Sequence, residues 1–173
     1  YSVYVDSKGN LVQIGRGFEE DEMIIDLEKK LSICQFSYDP LKDLYQALVL
    51  GVRDYFHKSG FKKGCLGLSG GIDSALVACI AVDALGKDNI LTINMPSRYS
   101  SEGSISDSEL LANTLGVQML NIPIEDPFQS LLDLLGPVFQ GKSSDITEEN
   151  MQARIRGIIL MAVSNKLGYI VLS

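Results

Sequence analysis

The chain has 173 residues, 46% of them hydrophobic, and a formal net charge of -7 at pH 7. This length is enough to bury one full core and part of a second, and the negative charge argues against a nucleic-acid surface. The three cysteines lack metal-ligand spacing, which favours a reducing compartment over a disulfide framework. We expect no signal peptide and no transmembrane segment, and therefore a cytoplasmic protein with no membrane or nucleic-acid partner.

The first 28 residues have the pattern of β-strands. Apolar residues alternate over 3–5 and 11–14 around a Lys-Gly-Asn turn, which predicts a β-hairpin. The apolar residues of 23–27 predict a third strand. Three such strands cannot form a stable core alone, so we expect them to be the edge of a sheet whose other strands lie elsewhere. Residues 29–39 have the composition of a linker.

A helix is predicted to start at Pro40. Leucines, a valine and Phe56 recur at intervals of three and four, and Gly60 ends the pattern. The single histidine, His57, lies in the last turn, where a positive charge would suit the helix C-terminus. With no second histidine in the chain, we do not expect His57 to bind a metal.

Residues 64–74 form the most informative stretch, with the sequence GCLGLSGGIDS. A short apolar run, a glycine turn and a helical pattern follow one another, which predicts a strand, a tight turn and a helix. The helix N-terminus would present unpaired N–H groups to the turn and so favour a bound phosphate. Gly70 and Gly71 allow positive φ and close approach of an oxyanion, while Ser69 and Ser74 add hydroxyl groups.

Asp73 is the unexpected member of this turn. A carboxylate repels a phosphate unless a cation lies between them, and a bridging Mg²⁺ would remove the conflict. The alternative is that Asp73 or Ser69 only caps the helix and that the glycines form an ordinary turn. The combination of strand, double glycine, hydroxyls, acid and helix favours a nucleotide phosphate. The turn is not a Walker A motif, because the lysine of that motif is missing, and it does not fit GxGxxG.

The rest of the chain alternates strands and helices. Strands are predicted over 90–96, 117–124 and 169–172, and helices over 106–116, 125–139 and 147–167. We expect Ser106 or Asp107 to cap the first of these helices, after a serine-rich loop, and Thr147 to open the last. The strand–helix–strand order predicts a parallel sheet with right-handed crossovers. Ligands bind beyond the carboxyl ends of such strands, so the glycine turn and the segment after Asn94 should meet at one crevice.

The last helix carries two polar side chains four residues apart, Asn150 and Arg154, which therefore share one side of the helix. An amide and a guanidinium there could hold a carboxylate, a phosphate or a ring edge. By residue type alone, Arg154 and Arg156 are more often exposed surface residues, and that alternative stays open.

Two motifs resemble a known family. SGGIDS is similar to the pyrophosphate loop of the ATP pyrophosphatase superfamily, and ENMQARIR at 149–156 resembles the ENxQARxR motif of glutamine-dependent NAD synthetases. The resemblance implies an α/β, parallel-sheet, Rossmann-like adenine nucleotide alpha hydrolase fold. It also implies that residues 1–28 are a β-rich remnant, the C-terminal edge of a nitrilase-like glutaminase domain. Residues 29–39 would then be the linker, and 40–173 the truncated first part of the synthetase domain.

The resemblance further implies a reaction. ATP activates deamido-NAD as an acyl adenylate, AMP and pyrophosphate are released, and ammonia derived from glutamine completes NAD, in a homo-oligomer. We assign no catalytic residue, and we expect the chain, as a fragment, to be inactive or nearly so on its own. The alternatives are another ATP pyrophosphatase that amidates or thiolates a different substrate, and a non-catalytic nucleotide-binding module.

Site residues follow from the same resemblance. Asp73 is implied to help hold Mg²⁺, and Asn150 and Arg154 are implied to contact deamido-NAD. For Met95, core packing is an equally weighted alternative to contact with adenosine. The implied ATP-binding residues are Gly67, Leu68, Ser69, Gly70, Gly71, Ile72, Asp73, Ser74, Asn94, Met95 and Arg98.

Overall fold

A computed structural model describes residues 1–27 and 32–173. The chain divides into two compact units, Tyr1–Gly51 and Val52–Ser173, so the division falls within one helix. The predicted boundary between residues 28 and 29, and the start of the predicted linker, lie outside the described residues. That residues 1–28 belong to a nitrilase-like domain stays a prediction.

The first unit contains the predicted β-hairpin. Strand β1 (Val3–Val5) pairs antiparallel with β2 (Leu11–Ile14). The carboxylate of Asp6 closes the turn by accepting hydrogen bonds from the backbone N–H groups of Lys8 at 2.9 Å and Asn10 at 2.8 Å. The hairpin turn is therefore held by a local side-chain acceptor, as is usual for Asp at such positions.

The predicted third strand is wrong. Residues 23–27 form no strand, and Ile24 is 94% exposed. An apolar run becomes a strand only where a neighbour supplies hydrogen-bond partners. In the described part of this unit, β1 and β2 pair only with each other, so the run has no ladder to join.

Helix α1 (Pro40–Ser59) forms where its apolar spacing predicts it. The carboxylate of Asp39 accepts hydrogen bonds at 3.1 Å from the N–H groups of Leu41 and Lys42, which caps the first turn. The helix ends at Gly60, whose φ of 75° suits a glycine C-terminus. Phe56 is buried, whereas Leu41 remains 77% exposed, so the apolar stripe is only partly covered.

The second unit alternates parallel strands with helices. Its strands are β3 (Gly64–Gly67), β4 (Ile90–Asn94), β5 (Gln118–Asn121) and β6 (Ile170–Val171). Its helices, after the end of α1, are α2 (Ile72–Leu85), α3 (Glu102–Leu115), α4 (Glu125–Leu135) and α5 (Ile146–Leu167). The strand order is β5-β4-β3-β6, and all pairs are parallel. The predicted parallel α/β sheet is confirmed.

The sheet separates two hydrophobic clusters, one under each layer of helices. The cluster beneath α2 and α3 contains Leu66, Leu68, Ala78, Ala81, Ile90 and Ala112. The cluster beneath α4 and α5 contains Cys65, Leu91, Ile93, Met95, Ile124, Phe128 and Ile155. Neighbouring residues of β3 alternate between the two clusters, as the twofold period of a strand requires. This three-layer packing fixes the carboxyl ends of β3 and β4 side by side.

Two predicted helix starts are corrected. Helix α3 is capped by Ser101, whose hydroxyl accepts the N–H of Ser104 at 3.1 Å, so most of the predicted serine-rich loop is helical. Helix α5 is capped by Asp145 in a capping box with Glu148, and not by Thr147. Near the start of each helix, several serine and acidic side chains are able to act as the N-cap. Which one does so depends on where the preceding strand or loop ends.

Candidate functional site

A crevice of about 410 Å³ opens at the carboxyl ends of β3 and β4, where the sequence predicted it. Its size lies in the range of small-molecule sites. The glycine turn and the segment after Asn94 both contribute to it, so their predicted convergence is confirmed. The lining residues are Gly67, Leu68, Ser69, Ile93, Asn94, Met95, Ser100, Ser104, Ile105, Arg156 and Leu160.

The glycine turn leads from β3 into α2. Among the described residues, no side chain caps the N-terminus of α2. Gly71 is the N-cap residue, so the alternative in which Ser69 or Asp73 caps the helix is wrong. The first backbone hydrogen bond of the helix runs from the N–H of Ala75 to the carbonyl of Gly71 at 3.1 Å. The N–H groups of the first turn and the positive end of the helix dipole therefore remain available to an anion.

The two serines of the turn hold its shape. The N–H of Gly71 donates to Oγ of Ser69 at 3.3 Å, and the N–H of Ser69 donates to Oγ of Ser74 at 3.3 Å. Ser74 also donates to the carbonyl of Gly71 at 2.9 Å, and the two Oγ atoms lie 3.1 Å apart. The turn is therefore organised by its own side chains. Ser69 is exposed and lines the crevice, whereas Ser74 is half-buried and does not line it.

Gly70 brings the turn against helix α3. Its φ is 79°, and a Cβ added there would lie 2.4 Å from the backbone carbonyl oxygen of Ser104. Sequence reasoning missed six lining residues: Ile93, Ser100, Ser104, Ile105, Arg156 and Leu160. For Ser100, Ser104 and Ile105, the available signal was the serine-rich stretch, for which a solvated loop was an equally weighted interpretation.

Asn94 and Met95 lie at the end of β4, as predicted. The Asn94 side chain is buried, and within the described residues its Nδ2 has no hydrogen-bond partner. A buried amide donor without a partner is costly, and a ligand acceptor in the crevice would satisfy it. Met95 both packs in the core and lines the crevice, so the two interpretations of this residue are compatible.

Arg98 does not line the crevice. Its guanidinium donates two hydrogen bonds to Oε1 of Glu125, one from Nε at 2.6 Å and one from Nη2. Nη2 also donates to Oε1 of Gln129 at 2.8 Å. The hydrogen bond to Glu125 raises the pKa of Arg98, and the same bond lowers the pKa of Glu125. Arg98 thus ties the segment after β4 to helix α4. Its predicted contact with adenosine stays a prediction.

We expect the substitution Glu125→Gln to weaken the interaction between Arg98 and helix α4, with no direct effect at the glycine turn. The lowered pKa of Glu125 means that its ion pair adds stability above the ordinary glutamate pKa. That contribution is lost as the pH falls through the lowered value. Urea unfolding at pH 7 should show a lower midpoint for Glu125→Gln than for the unchanged chain, and the difference should be smaller at pH 3. Glu109→Gln, at an exposed position of α3, is the control. An equal midpoint difference at both pH values would contradict the assignment.

Helix α5 presents two different sides. Asn150 and Arg154 are exposed and share one side, as predicted, but they do not line the crevice. Gln152 and Arg156 lie on the other side, and Gln152 is only 6% exposed. Both border a second crevice, of about 500 Å³, lined by Tyr99, Ser144, Asp145, Glu148, Glu149, Gln152 and Arg156. The alternative in which both arginines are exposed surface residues therefore agrees with Arg154 but not with Arg156, which is half-buried.

In residues 1–27 and 32–173, no group of three or more His, Cys, Asp or Glu side chains could hold a metal ion. No helix in the same ranges is both long enough and apolar enough for a bilayer crossing.

A doubly wound parallel sheet with a ligand-sized crevice and an uncapped helix N-terminus at its carboxyl edge defines a Rossmann-like α/β protein. Within that class, the family is shown by sequence. The model of the family described as NAD synthase matches residues 44–173, and the chain belongs to this family. The family predicted from SGGIDS and ENMQARIR is confirmed.

Individual relatives agree with this assignment. The chain is 48% identical over 178 residues to the glutamine-dependent NAD(+) synthetase of Synechocystis sp., covering 99% of this chain and 32% of that protein. It is 40% identical over 209 residues to the glutamine-dependent NAD(+) synthetase of Thermotoga maritima, covering 99% of this chain and 36% of that protein. The chain therefore spans about a third of the length of these curated relatives.

A solved structure shows the same fold. The glutamine-dependent NAD+ synthetase of Acinetobacter baumannii, in complex with adenosine diphosphate, superposes with a TM-score of 0.87 at 40% identity. The match covers 95% of this chain and 32% of that one. The predicted Rossmann-like fold is confirmed by this likeness.

Proposed function

We propose that this chain carries the ATP-binding part of an enzyme that amidates deamido-NAD to NAD. The observation that carries the proposal is the uncapped N-terminus of α2, which follows directly on a glycine turn whose Ser69 lines the crevice of an NAD synthase family member. The relative from Acinetobacter baumannii was solved with ADP, which supports a nucleotide in this crevice. Glutamine, hydrolysed elsewhere in the whole protein, is the proposed source of ammonia.

The proposed reaction has two steps. An oxygen of the nicotinate carboxylate attacks the α-phosphorus of ATP, and the bond from that phosphorus to pyrophosphate breaks. Ammonia then attacks the acyl carbon of the adenylate, and AMP leaves with the bonding electron pair. Within this chain, the N–H groups of the α2 first turn and the hydroxyls of Ser69 and Ser74 hold the phosphates. The free Nδ2 of Asn94 supplies a donor at the adenosine end.

Mg²⁺ fits the donor set at the turn. Asp73 is an exposed carboxylate in the first turn of α2, beside the N–H groups proposed to hold the phosphates. Protein Mg²⁺ sites in phosphate-transfer enzymes commonly use one or two carboxylates together with substrate phosphates. We propose Asp73 as such a ligand. When bound, the ion would neutralise negative charge on the pyrophosphate group.

Deamido-NAD is proposed to contact Asn150 and Arg154. Both side chains are exposed, so a second substrate has access to them. They face away from Arg156 on α5, so we assign them to a part of deamido-NAD remote from the reacting carboxylate. A homo-oligomer and a cytoplasmic location are further parts of the proposal, supported by the family membership alone.

The test is formation of NAD and AMP from deamido-NAD, ATP, Mg²⁺ and ammonia by the full-length protein. Free ammonia makes the assay independent of glutamine hydrolysis. We expect NAD and AMP in equal amounts and no ADP. AMP formed only with a different acceptor would favour another ATP pyrophosphatase. ATP binding with no AMP from any acceptor would favour a nucleotide-binding module and would refute the proposal.

A further inference from the structure

Arg156 connects the two crevices of the second unit. Arg156 lines both of them. In the crevice at the ends of β3 and β4 it lies with Ser69 and Met95, and in the second crevice it lies with Gln152. Its Nε donates a hydrogen bond to the backbone carbonyl of Met95 at 3.2 Å. That bond fixes the guanidinium at the end of β4 and leaves the two Nη groups for other partners.

The charge of Arg156 lacks a carboxylate partner within the described residues. Burial lowers its pKa, but an arginine remains protonated at neutral pH. A half-buried guanidinium without a counter-charge is destabilising, and an anionic ligand would offset that cost. The planar arrangement of its N–H groups suits two oxygens of one phosphate.

Two acids that line the second crevice, Asp145 and Glu148, have other roles. The carboxylate of Asp145 accepts the N–H of Thr147 at 2.8 Å, and Glu148 accepts the N–H of Asp145 at 2.8 Å. They cap α5, and together with Glu149 they make the second crevice acidic. A phosphate would be repelled there, so the anionic partner of Arg156 belongs on the side of the glycine turn.

We propose that Arg156 binds the α-phosphate of ATP. The proposal rests on the proposed nucleotide site: the glycine turn holds the outer phosphates, and the end of β4 holds adenosine. Arg156 is hydrogen-bonded to Met95 and lines the same crevice as Ser69, which places it between these two regions. The α-phosphate is the group of ATP that joins adenosine to the outer phosphates, and it is also the group attacked by the substrate carboxylate.

This position gives Arg156 a part in the reaction. As the carboxylate oxygen bonds to the α-phosphorus and the bond to pyrophosphate breaks, negative charge is redistributed over the oxygens on phosphorus. Fixed N–H donors stabilise such charge without reorganising. If Arg156 holds the α-phosphate, its positive charge would also reduce the repulsion between that phosphate and the attacking carboxylate.

The experiment compares adenosine, AMP and ATP as ligands of the full-length protein, with calorimetry for the Kd values. Because bonds between charged groups contribute about 1.5–3 kcal/mol, we expect Arg156→Met to weaken AMP and ATP binding by about 10- to 100-fold. Adenosine binding should change less than about twofold, and Arg156→Lys should recover part of the loss. Lys166→Met, on an exposed position of the same helix, is the matched control and should alter none of the three affinities.

Three results would overturn the proposal. Equal loss for adenosine, AMP and ATP would mean that Arg156 only positions Met95. Unchanged AMP and ATP binding would mean that Arg156 does not touch a phosphate. If Arg156→Met does not fold, as judged by its thermal midpoint, Arg156→Lys decides: AMP affinity equal to that of the unchanged protein would count against the proposal. NAD formation is assayed on the same preparation, so phosphate-dependent binding without NAD would refute only the proposed function.

Discussion

Gly70→Ala is expected to abolish nucleotide binding by the full-length protein. The φ of 79° at Gly70 is a left-handed conformation that costs a non-glycine residue about 1–2 kcal/mol. The added Cβ would also lie 2.4 Å from the carbonyl oxygen of Ser104, a backbone atom that cannot rotate away. Either the turn or the first turn of α3 must move. Since both border the crevice, we expect ATP affinity to fall by at least about 100-fold, equivalent to about 2.7 kcal/mol.

Gly86→Ala separates the clash from the backbone strain. Gly86 ends α2 with a φ of 83°, and a Cβ there meets no atom within 4 Å. It should therefore lower the free energy of unfolding through strain alone and leave ATP affinity unchanged. Calorimetry with ATP and urea unfolding on both variants make the comparison. Equal ATP affinity for Gly70→Ala and the unchanged protein would show that the glycine turn does not hold the nucleotide.

Local sequence patterns were sufficient for most of the second unit. The apolar run of β3, the glycine turn and the periodic helix α2 each have a period or a turn signal that depends on neighbours in sequence. The order of strands and helices then fixed the parallel sheet, because crossovers between parallel strands are almost always right-handed. The crevice followed from that topology, since Ser69 lies just beyond the end of β3 and Asn94 ends β4.

Tertiary contacts explain what the sequence did not predict. Residues 23–27 have the composition of a strand but no partner strand within the described residues, and composition alone contains no information on pairing. The contact of Arg98 with adenosine, predicted from the family resemblance, stays a prediction. The pairing of Arg98 with Glu125 depends on how α4 packs, 27 residues further along the chain.

The importance of Arg156 was likewise visible only in three dimensions. Four positions of one motif, Asn150, Gln152, Arg154 and Arg156, fall on two sides of α5. Because residues two apart on a helix do not share a face, the sequence predicts that Asn150 and Arg154 lie on one side and the other two residues on the opposite side. The sequence does not show which of these sides the sheet covers. The buried Gln152 and the bond from Arg156 to Met95 identify that side.

Asp73→Asn is the second substitution with a large expected effect, and it tests the proposed role of Mg²⁺. The amide keeps the size of the carboxylate but not its charge, and the exposed position makes a folding defect unexpected. If Asp73 helps to hold Mg²⁺ against the phosphates, kcat for NAD formation should fall by about 1,000-fold or more, equivalent to about 4 kcal/mol in the activation barrier. ATP affinity should also lose its dependence on Mg²⁺.

Binding and activity separate the possible outcomes for Asp73. In the unchanged protein, Mg²⁺ should strengthen ATP binding relative to the same titration with a chelator, and in Asp73→Asn the two titrations should coincide. Asp88→Asn removes an exposed acid that precedes β4, at the opposite edge of the sheet from the crevice, and should behave as the unchanged protein does. Full activity and retained Mg²⁺ dependence in Asp73→Asn would exclude Asp73 as a Mg²⁺ ligand.

Without Mg²⁺, the carboxylate of Asp73 would repel the phosphates, so its replacement would strengthen ATP binding. The sign of that change measured with the chelator therefore tests whether Asp73 lies beside the phosphates at all.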